Sequence, residues 1–313
     1  MGSTPVVVIT DTDLGGVDLE LELLRGAGFE PRFLDTRDED AIIAGAADAT
    51  ALLAQFAPIT RRVIESLPQL RAIARFGTGL DNIDLAAAAD NGVEVRGVSG
   101  YCTDEVADHA LALLLTITRA THQAASDVAS GSWLPGPDYP AITLTGRSLG
   151  LVGYGRIGHA VAKRAAAFGM QVGAHDPFVP AESLIADGIK PLSLAEAFAC
   201  DVVSLHLPQT PETKGLVSSE LLGLMKPGSI LLNVSRGGLI DEDALLSALD
   251  AGTPSFAGLD VLGTEPAGAD HPLVQHPRAV VTPHLGYYSP AAIIELRRQT
   301  ALAAIDLLSL VPS

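Results

Sequence analysis

The sequence predicts an α/β fold of two doubly wound domains, and three observations carry that expectation. Its 313 residues are too many for one small core and suit two domains. Short apolar, β-like runs alternate with helix-like segments, a pattern that gives parallel sheets with crossover helices. The alternation runs twice, and a long helical stretch and a breaker-rich loop separate the two series.

In the first series, residues 5–10 (PVVVIT) read as a buried strand, 19–27 as a helix stopped by Gly28, and 49–53 and 70–76 as further strands. Thr103–Arg119 is predicted as a long helix with Thr103 as its N-cap, and Asp104 and Glu105 suit the positive end of the helix dipole. Residues 131–139 (GSWLPGPDY) form the loop. The second series has a strand at 148–153, a helix at 156–168 ending at Gly169, and buried strands at 170–175, 201–205, 229–234, 256–261 and 279–282. A helix at 241–250 stops at Gly252, and a helix at 290–308 closes the series.

Charge narrows the function classes. Twenty Lys+Arg against 37 Asp+Glu leave a net charge of −17, which opposes non-specific binding to nucleic acid or to an anionic membrane. It does not exclude anionic substrates, because one or two arginines in a pocket override the global field locally. Cys102 and Cys200 lie far apart and outside metal-ligand spacing. Neither a disulfide framework nor a metal site is therefore expected, and a reducing, cytoplasmic setting is. Residues 1–10 lack the basic and apolar regions of a leader, and the longest apolar run, 110–115, is too short to span a bilayer.

Gly153-Tyr154-Gly155-Arg156-Ile157-Gly158 spells G-x-G-x-x-G between an apolar strand and a helical pattern. In such a setting the first glycine permits the tight turn, the second lets the backbone approach a pyrophosphate, and the third lets helix and strand pack closely. The helix N-terminus supplies free N–H groups to the phosphates. Asp176 lies 23 positions after Gly153, at the end of the next strand, where a carboxylate accepts from the adenine ribose hydroxyls and repels a 2′-phosphate. The expected cofactor is NAD rather than NADP, on a Rossmann domain.

Arg236 follows LLNVS, Glu265 follows GLDVLGT and His284 follows VVTP. Singly, each reads as a surface charge, a loop carboxylate or a satisfied histidine. Together, after separate late strands, they converge where a doubly wound sheet binds its ligands, beyond the carboxyl ends of the strands.

At these residues the chain resembles the D-isomer-specific 2-hydroxyacid dehydrogenases. The matching text is RFGTGLDNID at 75–84, GLVGYGRIG at 150–158, LLNVSRGGLIDEDAL at 231–245, GLDVLGTEP at 258–266 and TPHLGYYS at 282–289. Within that family, YCTDEVADHALALLL at 101–115 is most similar to the branch containing the C-terminal binding proteins, NAD(H)-binding corepressors with a dehydrogenase fold.

The resemblance implies site roles. Arg236 would hold the substrate carboxylate and 2-oxo oxygen. His284 would be the general acid for reduction and base for oxidation, with Glu265 orienting its ring. Gly77, Thr78 and Gly79 would offer amides to the carboxylate, and Arg75 matches an arginine that reaches it in the corepressor branch; in many other family members that arginine is outside the site, and Arg75 then reads as a surface charge at a strand end. Asp260 would bond the nicotinamide carboxamide, and Thr103, Pro208, Ser235 and Gly286 would line the cofactor beside Arg156 and Ile157. Tyr287 stands where the corepressor branch has Trp, so that branch's substrate preference does not carry over. The remaining histidines, His109, His122, His159, His175, His206, His271 and His276, are read as structural or solvent-facing.

The implied architecture is a Rossmann NAD-binding domain, residues 101–284, inserted into a smaller flavodoxin-like substrate domain of residues 1–100 and 285–313, with a cleft that closes on substrate. The 103–119 helix resembles the family's dimerisation helix, so a homodimer is expected. The chain ending at 313 without a regulatory module disfavours a serine-pathway enzyme. The expected substrate is a small acid such as glyoxylate, hydroxypyruvate or a phosphoglycerate-like compound. The alternatives are an NADH-sensing corepressor-like binding protein and a phosphite or phosphonate dehydrogenase.

Overall fold

The computed structural model describes residues 4–133 and 141–310. The chain forms two compact units, one made of the chain up to Cys102 together with that from Ser289, the other of Thr103–Tyr288.

The first unit is built on β1 (Val6–Ile9), β2 (Glu30–Phe33), β3 (Ala49–Ala54), β4 (Ala72–Arg75) and β5 (Glu94–Gly97). They lie in the order β2-β1-β3-β4-β5, all parallel, which is the flavodoxin-like order. The β-branched run of β1 and the Ala/Leu run of β3 are buried on both faces, as central parallel strands must be. The edge strands β2 (EPRF) and β5 (EVRG) carry the charges and proline that edges tolerate. They lack apolar periodicity and so escaped the sequence reading. The final helix, Pro290–Leu310, packs on the helix Asp18–Gly26. There Arg297 grips the buried Glu20 carboxylate with two bonds, at 2.8 and 2.6 Å.

The second unit carries β6 (Ser148–Val152), β7 (Gln171–His175), β8 (Lys190–Pro191), β9 (Val202–Leu205), β10 (Ile230–Asn233), β11 (Phe256–Leu259) and β12 (Ala279–Val281). Their order is β12-β11-β10-β9-β6-β7-β8, again parallel. The order reverses between β6 and β9, and that switch point opens a crevice beyond their carboxyl ends. The helix Thr103–Arg119 packs on β10, β11 and the helix Arg156–Ala167. Gly258 keeps that approach close, since a Cβ on it would stand 3.1 Å from Leu113 and 3.2 Å from Ile117.

Two local expectations change, and one is not tested. Thr103 is the first residue of its helix rather than the cap before it. β12 is half-buried along its length, because a sheet edge is covered on fewer sides than an interior strand. Residues 134–139 of the expected loop lie outside the described residues. Gly252 ends its helix in a left-handed conformation, as predicted, while Asp241, read as the helix's first residue, caps it through the Ala244 amide. Among the described residues no helix is long and apolar enough to cross a membrane.

Candidate active site

The crevice at the switch point is shaped by backbone. Gly153 follows β6 with φ of +96°, and a Cβ there would lie 2.3 Å from the His206 carbonyl oxygen beyond β9. A Cβ on Gly158 would lie 2.4 Å from the Gly153 carbonyl oxygen. The protein's own packing therefore explains the first and third glycines. It does not explain Gly155, whose Cβ would meet no atom within 4 Å. Gly155 caps the helix Arg156–Ala167, so a bare backbone faces open space at a helix N-terminus, which fits a pyrophosphate. Thr103 and Arg156 line one surface depression with His159, Lys163 and Arg164, between the helices Thr103–Arg119 and Arg156–Ala167. Ile157 is half-buried in the first turn.

Asp176 ends β7 and joins the glycine turn. Its Oδ2 accepts from the Tyr154 amide at 2.8 Å and its Oδ1 from the Phe178 amide at 2.9 Å. The carboxylate both closes the turn before Pro177 and keeps lone pairs for ribose hydroxyls. Tyr154 donates its hydroxyl to Asp187 at 3.2 Å, and burial pushes its phenol up to about 12. On the β9 side, the His206 ring pairs through Nε2 with Ser204 at 2.8 Å, and burial pushes it down to about 3. Pro208 follows, its carbonyl accepting from Thr213 at 2.8 Å.

The polar cluster beyond β10, β11 and β12 rests on side chains. Glu265 Oε2 lies 2.6 Å from His284 Nδ1, while its Oε1 accepts from the Leu262 amide at 3.0 Å. Both members are more than a third exposed. His284 itself has φ of +51°, a strained region for a residue with a bulky side chain. Its amide points to the carbonyls of Asp260 and Thr282, at 2.8 and 3.0 Å. Tyr287 sets its ring edge-on to His284, with centroids 6.2 Å apart.

Asp260 anchors this loop from beneath. It is 2 % exposed and accepts from the Thr282 hydroxyl (2.6 Å), the Leu285 amide (3.0 Å) and the Gly286 amide (2.8 Å). Burial opposes its ionisation, but the hydrogen bonds from His109, Thr282 and Gly286 outweigh that and hold it below the usual carboxylate range. Its Oδ2 keeps capacity for a further donor. Gly286 is required by proximity, because a Cβ on it would stand 2.9 Å from that Oδ2.

Arg236 follows β10 on a turn held by buried Asn233, which bonds the Ser235 amide (3.0 Å) and the Arg236 carbonyl (2.8 Å). Ser235 donates to the Leu205 carbonyl at 2.8 Å. The turn presses on the Glu265 loop, since a Cβ on Gly237 would lie 1.9 Å from the Leu262 carbonyl carbon. The structure thus joins His284 to Glu265, Asp260 to Gly286, and Asp176 to the glycine turn.

Arg75, Gly77, Thr78 and Gly79 form a separate group after β4 in the first unit. Gly77 has φ of +126°, and the Arg75 Nη1 occupies the space a Cβ would take there, 1.9 Å away. Thr78 donates its hydroxyl to the Val98 carbonyl at 2.9 Å.

Sequence reasoning missed His109, Thr282 and Asn233. His109 Nε2 lies 2.9 Å from Thr282 Oγ1 and 3.2 Å from Asp260 Oδ1, so it belongs to the Asp260 network rather than to solvent. The one available signal was its place on the buried side of a helix that runs under β10 and β11.

The family model described as the D-isomer specific 2-hydroxyacid dehydrogenase NAD binding domain matches residues 111–286. The D-3-phosphoglycerate dehydrogenase of Mycobacterium bovis is 41% identical over 286 residues, 91% of this chain and 53% of that protein. The chain therefore spans about half the length of that curated relative. Among solved structures, the D-lactate dehydrogenase of Aquifex aeolicus complexed with NAD and lactic acid has a TM-score of 0.85 at 28% identity, covering 97% of this chain and 95% of that one. An acyclic imino acid reductase in complex with NADPH and D-Arg reaches a TM-score of 0.87 at 28% identity, over 98% and 97% of the two chains. One scaffold therefore serves different substrates and both nicotinamide cofactors. With more than half its length under the family model, this chain belongs to the D-isomer specific 2-hydroxyacid dehydrogenase family.

Proposed function

We infer that this chain is an NAD-dependent oxidoreductase acting between a small 2-hydroxy acid and its 2-oxo acid. The observation that carries this reading is the His284–Glu265 pair, 2.6 Å apart, on a strained loop fixed by a buried carboxylate. The bound nicotinamide would supply or accept the hydride at its C4, exchanged with C2 of the acid. His284 delivers a proton from Nε2 to the 2-oxo oxygen in reduction and removes it from the hydroxyl in oxidation, while Glu265 at Nδ1 fixes the ring. Arg236 binds the carboxylate and 2-oxo oxygen as a planar fork. The reading also assigns Arg75 and the Gly77, Thr78 and Gly79 amides to the carboxylate, and Tyr287 to the substrate side chain.

For the cofactor, Asp260 offers Oδ2 to the carboxamide, Gly153, Gly155 and Gly158 take the pyrophosphate, and Thr103, Arg156, Ile157, Pro208, Ser235 and Gly286 line the rest. Asp176 supports NAD over NADP by repelling a 2′-phosphate. By resemblance the protein is a cytoplasmic homodimer with the helix Thr103–Arg119 at its interface. Glyoxylate, hydroxypyruvate and phosphoglycerate-like acids are the substrates favoured. The test is NADH oxidation over glyoxylate, hydroxypyruvate, pyruvate, phenylpyruvate, phosphonopyruvate and oxaloacetate. Turnover of at least one is expected. Tight NADH binding with turnover of none would overturn the enzymatic reading.

A further inference from the structure

We propose that His109 is a positioning residue that acts through Thr282 and Asp260 to set the loop bearing His284. The inference rests on the catalytic reading of His284 and extends it to a helix that supplies none of the proposed catalytic groups.

Hydrogen accounting fixes the direction of the bonds. Thr282 has one hydroxyl hydrogen, and it goes to Asp260 Oδ1 over 2.6 Å. Toward His109 the same hydroxyl can therefore only accept, so the His109 Nε2, 2.9 Å away, carries a hydrogen. That N–H also leans on Asp260 Oδ1 at 3.2 Å. His109 thus neutralises part of a carboxylate that burial would otherwise penalise, and it fixes the hydroxyl that shares that carboxylate.

The consequence runs along the loop. Asp260 can hold the Leu285 and Gly286 amides only in the orientation that His109 and Thr282 leave it. Those two amides flank the strained His284 backbone on its C-terminal side, and the Asp260 and Thr282 carbonyls hold the His284 amide itself. Contact is close throughout, because a Cβ on Gly286 would lie 3.4 Å from the His109 ring. The charged or titratable neighbours in this arrangement are Asp260 against His109, and Glu265 with Tyr287 against His284. Without the His109 donor, the carboxylate is free to rotate toward other donors, and the left-handed conformation at His284 loses its support.

Hydrogen exchange and kinetics on the full chain test this together. In His109→Ala, the 284–287 amides should exchange about ten- to a hundredfold faster, as expected for losing one charge-assisted bond, while β6 peptides stay unchanged. With an acid that the unmodified protein reduces, kcat should fall about 10- to 100-fold, the effect of a small misplacement of a reacting group. KM for the acid should stay within about threefold, because Arg236 and the carboxylate amides are untouched. His109→Gln places an amide N–H near the Nε2 position and should restore most of the exchange protection and most of kcat. Should His109→Ala fail to fold, Thr282→Val removes the bridging hydroxyl at nearly constant shape and should loosen the same amides. Unchanged exchange at 284–287 in either variant would overturn the proposal, as would equal losses in the Ala and Gln variants. The exchange measurement needs no turnover, so it decides the positioning role even if the unmodified protein reduces no acid in the screen.

Discussion

The two halves of the second unit's candidate site are built from different materials. The crevice between β6 and β9 is made of backbone, with Gly153 and Gly158 packed so close to carbonyl oxygens that a Cβ would come within 2.4 Å. The cluster beyond β10, β11 and β12 is made of side chains around the buried Asp260. Backbone complementarity fails all at once when an atom is added. A side-chain network fails in graded steps as its members are removed. The difference predicts how each half responds to substitution.

The largest effect is expected in the cluster. His284→Ala should lower kcat for reduction by two to four orders of magnitude, about the contribution of general acid catalysis. NADH affinity, set mainly in the crevice, should remain within a few-fold. Stopped-flow reduction paired with NADH fluorescence titration checks both. Near-normal turnover would remove His284 from the mechanism and leave the crevice as a binding site without its proposed chemistry.

The same contrast governs what was legible in the sequence. The crevice is contiguous: two glycines between one strand and one helix, a third in that helix's first turn, and an aspartate after the next strand, each with a local physical reason to be there. Arg236, Glu265 and His284 were legible because each follows a late strand. Their supports were not. His109 and Thr282 are 173 positions apart, and His109 sits in ADHALALLL, where the apolar spacing reads as core. Asn233 ends β10 as one polar residue after ILL. The fold's interior strands, and the edge strand β12 with its AVV run, were read from their apolar runs, whereas β2, β5 and the two-residue β8 were lost because they have no such run to show.

Within the crevice, Gly153 and Gly155 should separate packing from ligand binding. Gly153→Ala meets both a positive φ and a carbonyl at 2.3 Å and should destabilise the protein by about 2–5 kcal/mol. Gly155→Ala meets nothing in the protein, so its stability should change by no more than about 0.5 kcal/mol. Its methyl projects where a pyrophosphate is proposed, so NADH affinity should still drop by about tenfold or more. Urea denaturation and NADH titration of both variants provide the check. A Gly155→Ala variant that binds NADH normally would argue against the pyrophosphate lying there.

His206 links the crevice to acid stability. The folded protein resists protonating this ring until about pH 3, whereas the unfolded chain takes up the proton near 6.5. The unfolded state therefore gains protons first as pH falls, and the stability present above about 6.5 is progressively lost down to about 3. The expected loss between pH 7 and 5 is about 2 kcal/mol. His206→Gln should flatten that part of the stability curve. Identical urea midpoints for parent and variant at both pH values, relative to their pH 7 values, would mean that the ring is not kept neutral by burial.

Asp176 brings a side chain to the glycine turn itself, and its substitution should give the smallest effect. Its two oxygens already hold the Tyr154 and Phe178 amides, so the residue has a turn-closing duty apart from any cofactor. Asp176→Asn retains one carbonyl acceptor and removes the charge. The loss of one backbone bond should reduce stability by about 1 kcal/mol. If the charge also excludes a 2′-phosphate, the ratio of kcat/KM for NADH over NADPH should narrow about tenfold, because only NADPH feels the repulsion directly. The two readouts report the two duties separately. A fall in stability with an unchanged cofactor ratio would reduce Asp176 to a turn residue. Equal kcat/KM for the two cofactors in the unmodified protein would remove the preference for NAD altogether and leave Asp176 no part in cofactor choice.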